Sequence, residues 1–170
     1  MTSDISQPGP PIFVVTTGGT IDKIYFDALS KYQIGESVVH RLLEVGRVTY
    51  PFRIVEVLRK DSLDLTPEDR EIVRAKVAEL PTSRVVITHG TDTMTETARV
   101  LTSIRDKTIV LTGSLSPARF SESDATFNLG MAFATVQVAA PGVYIAMSGQ
   151  VFSADRVRKD HAAGRFVPIK

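Results

Sequence analysis

Two short runs of this chain gather hydroxyl groups, the first of them beside acids. One is Thr88-His89-Gly90-Thr91-Asp92-Thr93-Met94-Thr95-Glu96-Thr97, and the other is Thr16-Thr17-Gly18-Gly19-Thr20. A Thr hydroxyl is a poor nucleophile until a base accepts its proton. A Lys can be that base where burial or nearby charge makes its neutral amine accessible, and a carboxylate can orient it. Thr91, Asp92 and Lys159 form such a set, provided the fold returns Lys159 to the Thr91 run. Thr20 is a second candidate nucleophile, with Tyr25 and Tyr32 both following within reach. Backbone N–H groups at turns of this kind can form an oxyanion hole.

Other polar residues allow two readings each. Asp61 and Ser62 can hold the ammonium and carboxylate of a zwitterion, or serve turn chemistry alone. Asp92 can cap a helix instead of orienting a base. Gly18-Gly19-Thr20 reads equally as a tight turn with a surface Thr. Gly113-Ser114-Leu115-Ser116-Pro117 is a further small-residue loop. Arg156, Arg158 and Lys159 with Asp155 and Asp160 read as a solvated patch unless Lys159 turns inward. His89 reads as a structural hydrogen-bonding residue ahead of a general base.

Composition removes several classes. The chain of 170 residues has no Cys, which excludes disulfides, thiolate metal sites and a cysteine nucleophile. Its three His residues (His40, His89 and His161) are far apart, so no H-x-x-x-H zinc spacing exists and no metal is expected. The glycine turn matches neither G-x-G-x-x-G nor a P-loop, and no cofactor is expected. Lys+Arg 20 against Asp+Glu 19 leaves a formal charge of +1, with no global basic field for nucleic acid or anionic membrane. With 43% hydrophobic and 23% charged residues, the chain reads as globular. No apolar run approaches the ~18 residues of a membrane span. Residues 1–11 are polar and rich in Pro and Gly, without a basic start and apolar stretch. They read as a flexible lead before one domain over 12–170, and a cytoplasmic location is expected.

The elements that must position these residues follow from periodicity. Five β-branched runs read as strands buried on both faces: 12–15, 54–58, 85–88, 108–111 and 143–147. Between them lie helical patterns. Ser37 to Val45 ends at Gly46, read as the residue just past the helix. Thr66-Pro67-Glu68-Asp69 opens the next helix, with Ile72, Val73, Val77 and Leu80 as its apolar face. Thr93 to Ile104 spaces Met94, Ala98, Leu101 and Ile104 helically. Ser123-Asp124 starts a helix with Phe127, Met131, Ala134 and Val138 on one face. Strand–helix alternation of this kind predicts an α/β fold: a doubly wound, mainly parallel, flavodoxin-like sheet with helices on both faces. Ligands then bind beyond the carboxyl ends of the strands, where every candidate above falls.

These residues carry a resemblance. Thr17-Gly18-Gly19-Thr20-Ile21 and His89-Gly90-Thr91-Asp92-Thr93-Met94 resemble the two signature segments of bacterial-type L-asparaginases. Asp61-Ser62 before Asp64-Leu65-Thr66-Pro67, Gly113-Ser114, Phe127-Asn128-Leu129 and Lys159 extend the likeness in order along the chain. The resemblance implies hydrolysis of L-asparagine to L-aspartate and ammonia on the equivalent of the family's N-terminal domain. It implies Thr20 as the acylated nucleophile, with Tyr25 or Tyr32 assisting, and Thr91, Asp92 and Lys159 as the second catalytic set. It implies substrate binding by Asp61, Ser62, Gly90 and Ser114, with Asp92 sharing the amino-group contact. It also implies a homo-oligomer. Family members usually run to about twice one domain's length. Without the smaller second domain, a more open site with a weaker grip is expected. An asparagine- or aspartate-binding module, and a partner-dependent amidotransferase subunit, are the alternatives.

Overall fold

A computed structural model describes residues 9–26, 28 and 30–169. In chain order the elements are β1 (Ile12–Gly18), β2 (Lys23–Phe26), β3 (Lys31–Ile34), α1 (Val39–Val45), β4 (Phe52–Lys60), α2 (Pro67–Glu79), β5 (Arg84–Thr88) and α3 (Met94–Leu101). Then follow β6 (Thr108–Thr112), α4 (Ala125–Val138), β7 (Gly142–Met147), β8 (Gln150–Ser153), β9 (Val157–Asp160) and β10 (Arg165–Pro168). The main sheet runs β4-β1-β5-β6-β7-β8. Every pairing is parallel except β7 with β8. All five predicted strands are in it, in the order of a flavodoxin-like sheet.

The interiors of the central strands β1, β5 and β6 are apolar because both sheet faces are covered there. Phe13, Val15, Val85, Ile87, Ile109 and Leu111 pack under α2 and α3 through Val73, Val77, Met94, Ala98 and Leu101. Ile12, Val14, Val86 and Val110 pack on the other face under α1 and α4 through Val39, Leu43, Leu129 and Phe133. Each fully buried aliphatic side chain contributes roughly 1.5–3 kcal/mol. Thr66 is the N-cap of α2, as expected, and it also closes a capping box: Thr66 Oγ1 accepts from Asp69 N, and Asp69 Oδ2 accepts from Thr66 N. None of the helices in the described residues is long and apolar enough to cross a membrane.

Four sequence expectations need correction. Helix α4 buries Ala125, Leu129, Ala132, Phe133 and Val136, whereas Phe127 and Val138 are exposed. The helix is apolar on every side, so periodicity alone pointed to the wrong stripe. Ile72 is exposed, because α2 buries the line Asp69/Arg70, Val73, Val77 and Leu80. Gly46 keeps φ −70, and the left-handed residue after α1 is Arg47, with φ 50. Arg47 N donates to Glu44 O and Val48 N to Leu43 O, closing a Schellman motif one residue later than expected. Helix α3 ends at Leu101, although Ile104 is buried beyond it. The proposed lead of residues 1–11 lies mostly outside the described residues. Within it, the carbonyls of Pro10 and Pro11 accept from Tyr50 and Thr82.

Candidate active site

The chain reverses direction across the sheet at β1, since β4 lies on one side of it and β5 on the other. Thr20 follows β1 and Thr91 follows β5, so both lie at this switch point, where open α/β sheets bind ligands. The two turns touch through glycine. A Cβ added at Gly19, whose φ is 89, would stand 2.4 Å from Gly90 N. Only glycine combines that approach with that backbone angle. Gly90 in turn lies against Ser62, whose Oγ would be 2.6 Å from a Cβ at position 90. Glycine contacts therefore gather the turns after β1, β4 and β5.

Lys159 reaches this place from β9. Its Nζ donates to Thr91 Oγ1 at 2.8 Å and to Asp92 Oδ1 at 2.5 Å. Strand alternation explains why it does so while Arg158 does not. Val157 and Lys159 share one face of β9, and Val157 is fully buried together with Phe166 of the paired β10. Asp92 does not cap α3, whose N-cap is Thr93. Thr91 and the Lys159 side chain are nearly buried. A hydroxyl, an amine and a carboxylate thus stand in one hydrogen-bonded line, an arrangement able to move a proton to or from the hydroxyl. His161 Nδ1 lies 3.8 Å from the same Asp92 oxygen. Sequence reading missed His161, and its position two residues after Lys159 was the available signal.

Asp61 and Ser62 stand beside this line. Ser62 is buried, and its Oγ has no hydrogen-bond partner among the described residues. Its carbonyl accepts from Thr93 Oγ1 at 2.7 Å, which ties the turn after β4 to the start of α3. An unpartnered buried hydroxyl costs free energy unless a ligand satisfies it. Asp61 Oδ1 accepts from Leu63 N, and its Oδ2 lies 2.9 Å from Lys23 Nζ. Burial pushes the Asp61 carboxyl up, but hydrogen bonds from Lys23, Leu63 and Ser62 with the Lys23 charge hold it below the usual value.

His89 is fully buried. Its Nδ1 lies 2.7 Å from Gly90 O and its Nε2 2.8 Å from Thr97 Oγ1. A carbonyl only accepts, so Nδ1 carries the proton and Nε2 accepts from Thr97. Burial pushes the His89 pKa down to about 4, against the raising effect of Gly90 O, and the Arg70 charge lowers it further. His89 is a neutral support of the Gly90 turn, as the sequence suggested. Ser114 is also buried, and its Oγ donates to Ser116 O at 2.5 Å within its own loop. Tyr25 and Tyr32 face each other across the β2–β3 hairpin with ring centroids 5.5 Å apart, both about half exposed. The hairpin thus brings the two Tyr together, and neither makes a side-chain hydrogen bond among the described residues.

Two more residues have supporting roles that the sequence did not show. Asn128 is fully buried, donates to Gly113 O and Asp124 Oδ2, and accepts from Ser148 N. It joins the loops after β6 and β7. Asp22, two residues past Thr20, is 1% exposed and accepts from Val38 N at 3.0 Å. Burial pushes its carboxyl up to about 6, against the lowering effects of Val38, Ser37 and the Arg119 charge. A cavity of about 440 Å³ lies elsewhere, lined by Ile104, Gly142 and Ala154 among others, and holds none of the candidate residues.

The fold and site define a flavodoxin-like α/β domain with a Thr–Lys–Asp line at its switch point. The family model described as "Asparaginase, N-terminal" matches residues 11–166. The chain belongs to the asparaginase family. It is 32% identical over 159 residues to the L-asparaginase of Thermococcus kodakarensis, covering 90% of this chain and 48% of that protein. The solved structure of the thermostable L-asparaginase from that organism superposes with a TM-score of 0.82 at 29% identity, covering 94% of this chain and 51% of that one. A weaker likeness, 28% identity over 92% of this chain and 38% of the relative, joins it to a glutamyl-tRNA(Gln) amidotransferase component from Haloquadratum walsbyi. The chain spans about half the length of the first curated relatives it matches.

Proposed function

We propose that this chain hydrolyses the side-chain amide of L-asparagine to L-aspartate and ammonia. The observation that carries the proposal is Lys159 Nζ bonded to both Thr91 Oγ1 and Asp92 Oδ1. The names of the relatives support the same chemistry and the same substrate.

In the proposed reaction a Thr hydroxyl attacks the amide carbon. The C–N bond breaks, the hydroxyl proton leaves with the amine as ammonia, and an acyl ester remains on the Thr oxygen. Water then cleaves the ester to L-aspartate and restores the hydroxyl. Thr20 is assigned the ester, with Tyr25 or Tyr32 assisting. Thr91, Lys159 and Asp92 manage the proton. Asp61, with Asp92, receives the substrate ammonium. Ser62 Oγ receives its carboxylate, Gly90 lets the backbone approach, and Ser114 shapes the neighbouring loop. No metal or cofactor has a part in this scheme. Self-association belongs to the proposal as well, and light scattering tests it: a mass that stays monomeric at full activity excludes an obligate oligomer.

Ammonia release from L-asparagine, run beside Thr20→Ala and Thr91→Ala, tests the reading. The expected result is turnover by the parent and a loss of at least about a hundredfold in each variant. A parent that binds L-asparagine without releasing ammonia overturns it in favour of a binding module or an enzyme that needs a partner. The likeness to the amidotransferase component supports a second reading, in which turnover requires a partner protein.

A further inference from the structure

Lys23 is the residue on which this inference turns. It opens β2, directly after the turn that carries Thr20, and its backbone N–H donates to Thr20 O. The hairpin base is fixed by that bond and by Gly35 N donating to Asp22 O at 2.8 Å. The side chain is the free arm. Its Nζ lies 2.9 Å from Asp61 Oδ2, and both side chains are a little over a quarter exposed. The other oxygen, Oδ1, accepts from Leu63 N.

In the proposed reaction Asp61 receives the α-ammonium of the substrate, and the inference rests on that reading. Lys23 presents the same chemical group, a primary ammonium, to the same carboxylate. Two ammonium groups on one oxygen repel each other. An incoming α-ammonium must therefore displace or share the place of Lys23 Nζ. A ligand with the same carboxylates and no amine leaves the pair intact. The pair then neutralises Asp61, which would otherwise repel the ligand's carboxylate.

We infer that Lys23 is a specificity-determining residue that occupies the α-ammonium place on Asp61 and so narrows the site's preference for aminated over deaminated dicarboxylates. The side chain can swing away without moving the hairpin, since backbone bonds hold the base. The Lys23–Asp61 pair sets the size of the effect: a part-exposed ion pair biases its two states by a factor of about two to six.

Calorimetric binding of L-aspartate and of succinate to the whole chain tests this without requiring turnover. The two ligands differ by the α-ammonium alone. In Lys23→Met the ratio of succinate Kd to L-aspartate Kd is expected to rise about two- to sixfold. General attraction of Lys23 for carboxylates cancels in that ratio, and so does a merely structural role. Lys23→Arg, which keeps the cation, is expected to keep the parent's ratio. An unchanged or lowered ratio in Lys23→Met overturns the inference. Asp61→Asn separates this failure from failure of the underlying reading. If Asp61→Asn leaves L-aspartate affinity unchanged, or the parent binds neither ligand, Asp61 is not the ammonium site and both readings fall.

Discussion

Lys159 Nζ and Thr91 Oγ1 are 2.8 Å apart although 68 residues separate them in the chain. The contact exists because the β9–β10 hairpin is anchored by Val157 and Phe166 in the core beneath α3. Thr91 belongs to the turn after β5, a central strand of the sheet. Two rigidly held segments thus define one donor–acceptor line.

Replacing Lys159 removes that line. Lys159→Met is expected to lower kcat for ammonia release by about 10²–10⁴-fold, the range of a general acid or base. Its methylene stem is matched in length, so the unfolding transition should stay cooperative. Retention of kcat within about threefold would show that Lys159 only neutralises Asp92.

Asp22 and His89 oppose each other with pH. The folded Asp22 carboxyl titrates near 6, above its ordinary 3.8, so the folded state holds the proton longer and stability falls as pH rises through that window. The folded His89 titrates near 4, below its ordinary 6.5, so the unfolded state binds the proton first and stability rises between about pH 4 and 6.5. The two slopes offset each other in the parent. Asp22→Asn removes one of them. Its unfolding free energy in urea is expected to rise by roughly 3 kcal/mol from about pH 4 to about pH 6.5. An equally flat profile in parent and variant would contradict this account.

Asn128 ties together the loops after β6 and β7 with three hydrogen bonds, the one to Gly113 O buried and the other two part-buried. Asn128→Leu leaves Gly113 O and Ser148 N without that partner. The expected loss is at least about 2 kcal/mol of stability. A urea midpoint within error of the parent's would mean that water or a local shift replaces all three bonds.

Arg47 carries a left-handed backbone, with φ 50, and is exposed. Arg47→Gly removes the Cβ crowding of that conformation. A gain of about 0.5–1 kcal/mol is expected, net of the added chain entropy of glycine. Thermal unfolding measures it, and a lower melting temperature would refute the assignment of strain to this residue.

Much of the frame was legible because its signals are local. Continuous runs such as Val85-Val86-Ile87 mark strands covered on both faces, and Thr66-Pro67 marks a helix start wherever it occurs. The candidate residues were legible as strand-end residues. Helix α4 shows where local signals fail. With Phe127, Leu129, Met131 and Phe133 all present, every face is apolar, and the sheet selected Leu129 and Phe133. The short β2–β3 and β9–β10 pairs escaped notice because each strand has four residues, too few to display a period.

The sequence by itself determined the family, the strand–helix alternation and the residue types able to do the chemistry. These depend on motif, composition and near-neighbour periodicity. Tertiary structure alone decided which cation of Arg156, Arg158 and Lys159 turns inward, that Asp92 meets Lys159 instead of capping α3, and that Lys23 faces Asp61. Those outcomes depend on contacts between residues far apart in the chain, which form only when the sheet order and the packing of both hairpins bring them within bonding distance.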